Sequence, residues 1–123
     1  MDENTMKQRS AGRWRLAFFL VATALVSSAP AAVHSNRVVG RIETPDMTRH
    51  CVFFSLQGVT EADPIRPNSP WFVVPADHPG FKEIYAALLT ARTSGALVTV
   101  YTTGTAAATC DNHAIANFLI IEP

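Results

Sequence analysis

The residues best suited to chemistry are Cys51 and Cys110, each with a histidine close by in the chain, His50 before the first and His113 after the second. An imidazole that draws off a thiol proton makes a cysteine nucleophile. Adjacent residues of a strand point to opposite faces, however, so sequence adjacency alone does not put His50 against Cys51. Two cysteines and two histidines also suit zinc, but the paired spacing of a zinc site is missing and no metal is expected. Asp63, Asp77 and Glu83 could supply an acid/base pair only if the fold brought two of them together. Their contexts instead fit a turn, a helix cap and a solvent-facing helix position, and His78 and His113 read as loop histidines. The Thr102-Thr103-Gly104-Thr105 run lacks the lysine and following helix of a phosphate loop. The sequence therefore predicts no catalytic residue and no cofactor.

Binding chemistry is better represented. Trp71 and Phe72 follow a proline-rich loop that carries Asn68 and Ser69, and Tyr101 sits in a β-branched run. Aromatic rings cover the C–H faces of sugars while neighbouring amides and hydroxyls fix their hydroxyl groups. Trp71, Tyr101, Asn68 and Ser69 are the candidate binding residues. The competing expectation is that Trp71 fills the mouth of the fold and Phe72 belongs to the core.

The elements that position these residues are legible from periodicity. Arg37 to Glu43 reads as a strand with a bulge or bend at Gly40, after a short flexible leader over residues 32–36. His50 to Gln57 is apolar on both faces, with Val52, Phe54 and Leu56 on one side and Cys51, Phe53 and Ser55 on the other, as in a central strand. Three prolines between Thr60 and Pro70 enforce a loop, and Trp71 to Pro75 is a short third strand. Phe81, Ile84, Leu88 and Ala91 recur at helical spacing, with Asp77 as the expected cap, Arg92 in the last turn and Gly95 as the stop. Ala96 to Thr102 alternates as a fourth strand with Val98 and Val100 inward, Thr103 to His113 reads as a loop, and Ile115 to Glu122 is the fifth strand.

The beginning of the chain sets the compartment. Lys7, Arg9, Arg13 and Arg15 precede an apolar run from Leu16 to Val26, and Ala29-Pro30-Ala31 offers a small-residue exit. This is the pattern of a signal peptide over residues 1–31, cut after Ala31 or, as the runner-up, after Ser28. Eleven residues rise about 17 Å as a helix, too little for a hydrocarbon core of about 30 Å, so no stable membrane insertion is expected after cleavage. Removing this segment changes the charge. The whole chain of 123 residues is neutral, but from residue 32 onward six basic residues face eight acidic ones, a net −2. A mildly acidic domain without a basic run argues against nucleic acid as a partner. Export to the periplasm or beyond also makes a Cys51–Cys110 disulfide the expected fate of the two thiols.

Residues 32–123 suffice for a single small domain, mainly β with one helix. Three strands, a helix and two strands, in the order β-β-β-α-β-β, match a five-stranded OB-fold-like barrel, with an open antiparallel sheet carrying the helix on one face as the alternative. Phe81-Lys82-Glu83-Ile84, Leu88-Leu89-Thr90-Ala91, Gly95 and Val98-Thr99-Val100 resemble the helix-to-strand segment of AB5-type bacterial toxin B subunits of the subtilase-cytotoxin and typhoid-toxin type. An early half-cystine on a strand, a tryptophan before the helix and a later half-cystine between the last strands extend the likeness over Cys51 to Ile121. The resemblance implies a secreted barrel that forms a homo-oligomeric ring and binds glycans. The family's polar glycan contacts have no assignable counterparts in this chain. The functional expectation is a secreted non-catalytic binding module for a glycan. The alternative is a periplasmic protein-interaction module, such as an inhibitor or envelope accessory factor, with an envelope protein as partner.

Overall fold

The computed structural model describes residues 31–123. The basic and apolar segment of the proposed signal peptide, residues 1–30, lies outside them. Five strands and one helix follow in the order β1 (Val33–Glu43), β2 (Cys51–Leu56), β3 (Phe72–Pro75), α1 (Phe81–Ser94), β4 (Leu97–Ala107) and β5 (His113–Ile121). The strands form one five-stranded sheet that closes in a ring, with neighbours in the order β1-β2-β3-β5-β4 and back to β1. All pairings are antiparallel except β3 with β5, which run parallel through only two pairs, Phe72 with Ala114 and Val73 with Ile115. Closure excludes the open-sheet alternative. No helix among the described residues is long and apolar enough to cross a membrane.

Alternation along the strands fills the interior. Val39, Val52, Phe54, Leu56, Phe72, Val74, Val98, Val100, Ala114 and Ala116 point into one core, where the Phe54 and Phe72 rings stack 4.9 Å apart. Helix α1 lies across β1, β3 and β5 and adds Ile84, Leu88 and Ala91. The helical spacing thus identifies the buried face. Gly95, at φ 75°, ends the helix in the left-handed conformation and donates its N–H to the Ala91 carbonyl. The N-terminus departs from expectation, since the cap position is Gly80, no side chain caps it, and Asp77 lies exposed in the preceding turn. The imidazole of His78 accepts the Gly80 N–H instead, at 2.9 Å.

Strand boundaries also move. Residues 33–36, expected as a leader, are the start of β1, because Val33 and His34 pair with Tyr101 and Val100 of β4. The sheet supplies the hydrogen bonds that this polar stretch would not secure by propensity. Likewise β4 continues through Thr103–Ala107, expected as loop, because Ala106 and Ala107 pair with Ala114 and His113 of β5. Only Ala108 to Asn112 turns, through a 3-10 segment at Ala108–Cys110 and left-handed Asp111 and Asn112. The expected bulge at Gly40 is present: Val39 pairs with Leu56 and Ile42 with Phe54, so Gly40 and Arg41 together oppose Ser55. A Cβ at position 40 would stand 3.0 Å from the Ser55 hydroxyl and 3.3 Å from its carbonyl, which favours glycine there.

Cys51, at the start of β2, forms a disulfide with Cys110 in the turn before β5, across a sequence separation of 59. Closing so long a loop is worth about 4 kcal/mol in the chain-entropy account. Leu88 is fully buried in the core, and Leu88→Ala should lower the unfolding free energy by about 3 kcal/mol in guanidinium titrations. Reduction of the disulfide should produce a loss of comparable size, and a change below about 1 kcal/mol would mean that the crosslink does not restrain the unfolded chain.

Candidate functional site

The second face of β2 builds the site. Because Val52 and Phe54 turn inward, Cys51 and Phe53 turn outward, where they join Val73, Ala107 and Cys110 in a small cluster flanked by Trp71 and Ile115. Phe53 is its centre. Trp71 and His113 meet its ring edge-on, at centroid distances of 6.4 and 5.6 Å, and the Arg49 guanidinium lies 4.7 Å from its centroid. Arg41, turned outward at the Gly40 bulge, sets its guanidinium 5.9 Å from the centre of the Trp71 ring.

The rim is held by polar bonds. Asp46 accepts the N–H groups of Thr48 and Arg49 and pairs with the Arg49 side chain at 3.0 Å. These bonds, the Arg49 N–H foremost, hold the Asp46 carboxyl well below the usual carboxylate range. Arg49 also pairs with Asp111 at 2.8 Å, and Asp111 and then Asp46 keep its guanidinium more firmly protonated. Arg66 donates to the Asp111 carbonyl. The loop before β3 is fixed by Ala62 N–H to the Ser69 carbonyl at 2.8 Å and by Ile65 N–H to the Asp63 carboxylate at 2.8 Å, an Asx turn.

The predicted binding residues separate into two places. Asn68, Ser69 and Trp71 lie together at the end of this loop. Asn68 is exposed at φ 60°, Trp71 is half-buried, and Ser69 is buried with its hydroxyl 3.1 Å from Nδ1 of His113. Tyr101 is elsewhere. It stacks on Phe118, 4.5 Å away, whereas Phe72 next to Trp71 pairs with Ala114, so roughly 13 Å of β5 separates the two aromatics. Tyr101 instead belongs to a row of outward apolar side chains, with Val33 opposite it on β1 and Phe118 and Ile120 on β5. Val33, Phe118 and Ile120 are 49, 44 and 42 % exposed. Phe72 is wholly core, in line with its competing expectation.

Residue types alone do not single out Phe53, Arg41 or Arg49, and His113, which reads as a loop histidine, instead opens β5 and packs on Phe53. Two signals are present in the sequence: alternation puts Phe53 on the second face of β2, and the bulge glycine precedes Arg41. Of the carboxylates weighed for acid/base work, Asp63 is fully buried, while Asp77 and Glu83 are exposed. The Ser69–His113 pair has the atoms of a nucleophile and base, but the serine is buried. A shallow cavity of about 260 Å³ at the opposite end of β2 and β3 is lined by Thr48, His50, Pro75, Ala76, Asp77 and Thr109. Among the described residues no three histidine, cysteine or acidic side chains group as metal ligands. Comparison of the chain with protein-family models, curated proteins and solved structures gave no match.

His113 provides a pH test. Burial first, and then the positive charge of Arg66, lower its imidazole pKa below the ordinary value, with Asp111 opposing. The unfolded chain therefore takes up this proton before the folded one, and stability should fall as the pH drops below about 6.5. Urea unfolding between pH 7 and 5 should show this slope, reduced in His113→Gln. An NMR midpoint for His113 above the ordinary imidazole value would contradict it.

Proposed function

We propose that the chain is an exported, non-catalytic binding module of the oligosaccharide/oligonucleotide-binding class whose ligand is a glycan, bound on the outer face of β2 and β3. The observation that carries this reading is the half-buried Trp71 with the Arg41 guanidinium by its ring and exposed Asn68 at the same loop end. Such a surface offers a π-face for sugar C–H groups and charged and amide donors for hydroxyls or a carboxylate. Three strands, a helix and two strands in a closed sheet support the fold assignment. The resemblance to AB5-type toxin B subunits supports the ligand class. The net −2 of residues 32–123 weighs against nucleic acid.

Retention of the exported protein on a glycan array tests this reading. Trp71→Ala should weaken binding by about tenfold or more, equivalent to about 1.4 kcal/mol, while the circular dichroism of the folded domain is kept. An array that retains no protein, or a Trp71→Ala variant that binds as before, would count against it.

A second reading, a periplasmic protein-interaction module, is favoured by the outward row of Val33, Tyr101, Phe118 and Ile120. In a ring-forming subunit the same row would meet another copy. Native mass measurement separates the cases. A multimer that Phe118→Ser dissociates would assign the row to self-assembly, whereas a strict monomer without glycan binding would leave the row for an envelope protein.

A further inference from the structure

Asp63 is fully excluded from solvent, and among the described residues no lysine, arginine or histidine forms an ion pair with it. Charged groups close by in sequence or space are engaged elsewhere. The Arg66 guanidinium reaches the Asp111 carbonyl, and Nε2 of His34 lies 2.7 Å from the Ala62 carbonyl. One carboxylate oxygen accepts the Ile65 N–H and the other accepts the Thr102 hydroxyl. That hydroxyl in turn accepts the N–H of Ala32 at 2.8 Å, while Thr102 N–H donates to the Ala32 carbonyl at 2.9 Å. The nitrogen of Ala32 is thus fixed one hydroxyl away from a buried carboxylate that lacks a cation.

We propose that proteolytic maturation after Ala31 supplies this cation, and that the new α-ammonium of Ala32 is the charge partner of Asp63 through Thr102. The proposal rests on the reading of residues 1–31 as a removable signal peptide. Hydrolysis of the Ala31–Ala32 peptide bond adds one water and leaves a carboxylate on Ala31 and an ammonium on Ala32. An amide with one N–H becomes a cation with three, at a position already held by β4. A buried carboxylate is strongly disfavoured without a counter-charge, so the cleaved chain gains a stabilising pair that the precursor lacks. A cut after Ser28 would leave an amide at Ala32 and no such pair.

The chain makes the test simple, because Lys7 leaves with the signal segment and Lys82 becomes the other amine. Protein exported from the full-length chain is first sequenced from its N-terminus, then treated near pH 7 with limiting acetic anhydride, and the two amines are followed by mass spectrometry. In the folded protein the Ala32 amine should react roughly tenfold or more slowly than in urea, the effect of a one-unit rise in its pKa. Lys82, on the exposed helix face, should change little by comparison. Asp63→Asn should release the Ala32 amine, and slow labelling that persists in that variant would mean burial without pairing and overturn the proposal. Should Asp63→Asn fail to fold, α-acetylated and unmodified exported protein are compared by melting. A drop of about 5 °C supports the pair, and no change overturns it. A different N-terminal residue would defeat the cleavage reading and the pairing with it, whereas a protein beginning at Ala32 whose amine labels freely would defeat the pairing alone.

Discussion

The fold depends on closing the sheet at its weakest seam. Four of the five pairings are antiparallel, but β3 meets β5 through two parallel pairs, and parallel pairing is less stable per residue. The disulfide acts beside this seam. Cys51 opens β2, the antiparallel neighbour of β3, and Cys110 sits in the turn that leads into β5. The covalent link therefore fixes the approach of β5 to the β2–β3 pair, so that the short register does not hold it alone. The outer cluster of Phe53, Val73, Ala107 and the two half-cystines covers the same place from outside, while Phe54, Phe72 and Ala114 pack beneath it.

That arrangement ties the candidate site to the fold. Phe53 can present its outer ring face to Trp71, His113 and Arg49 because Phe54 beside it is committed to the core. Arg41 comes to Trp71 because the bulge at Gly40 turns it outward, and the bulge exists because Ser55 alone opposes two residues of β1. The charges on the rim do a different job. Arg49 is shared between Asp46 and Asp111 and holds the turn after β1 against the turn before β5, which leaves Arg41, paired only loosely with Glu43 at 3.5 Å, as the more available guanidinium.

Some of this was legible from residue order and some was not, for identifiable reasons. Strand β2 could be read as central because both of its faces are apolar, and α1 because Ile84, Leu88 and Ala91 share a stripe that ends at Gly95. The first residues of β1 and the last of β4 were not legible. Their strand character comes from their partners and not from their own propensities: Val33 and His34 pair with β4 more than sixty residues on, and Ala106 and Ala107 pair with Ala114 and His113 across the turn. The division of Trp71 from Tyr101 required the register of β3, β5 and β4, which no local pattern carries. Asp63 was readable as a turn former, and it is one, but its burial depends on Thr102 and Ala32 meeting over it.

Strand β1 has a consequence for the order of events. It is the first element of the ring to be synthesised, yet one of its two partners, β4, comes near the end, with Val33 facing Tyr101. The sheet cannot close until nearly the whole chain is available, and contacts so distant in sequence slow folding. In a chain with this topology the hairpins of β1, β2 and β3 can pair early, but the ring stays open until β4 and β5 have been made.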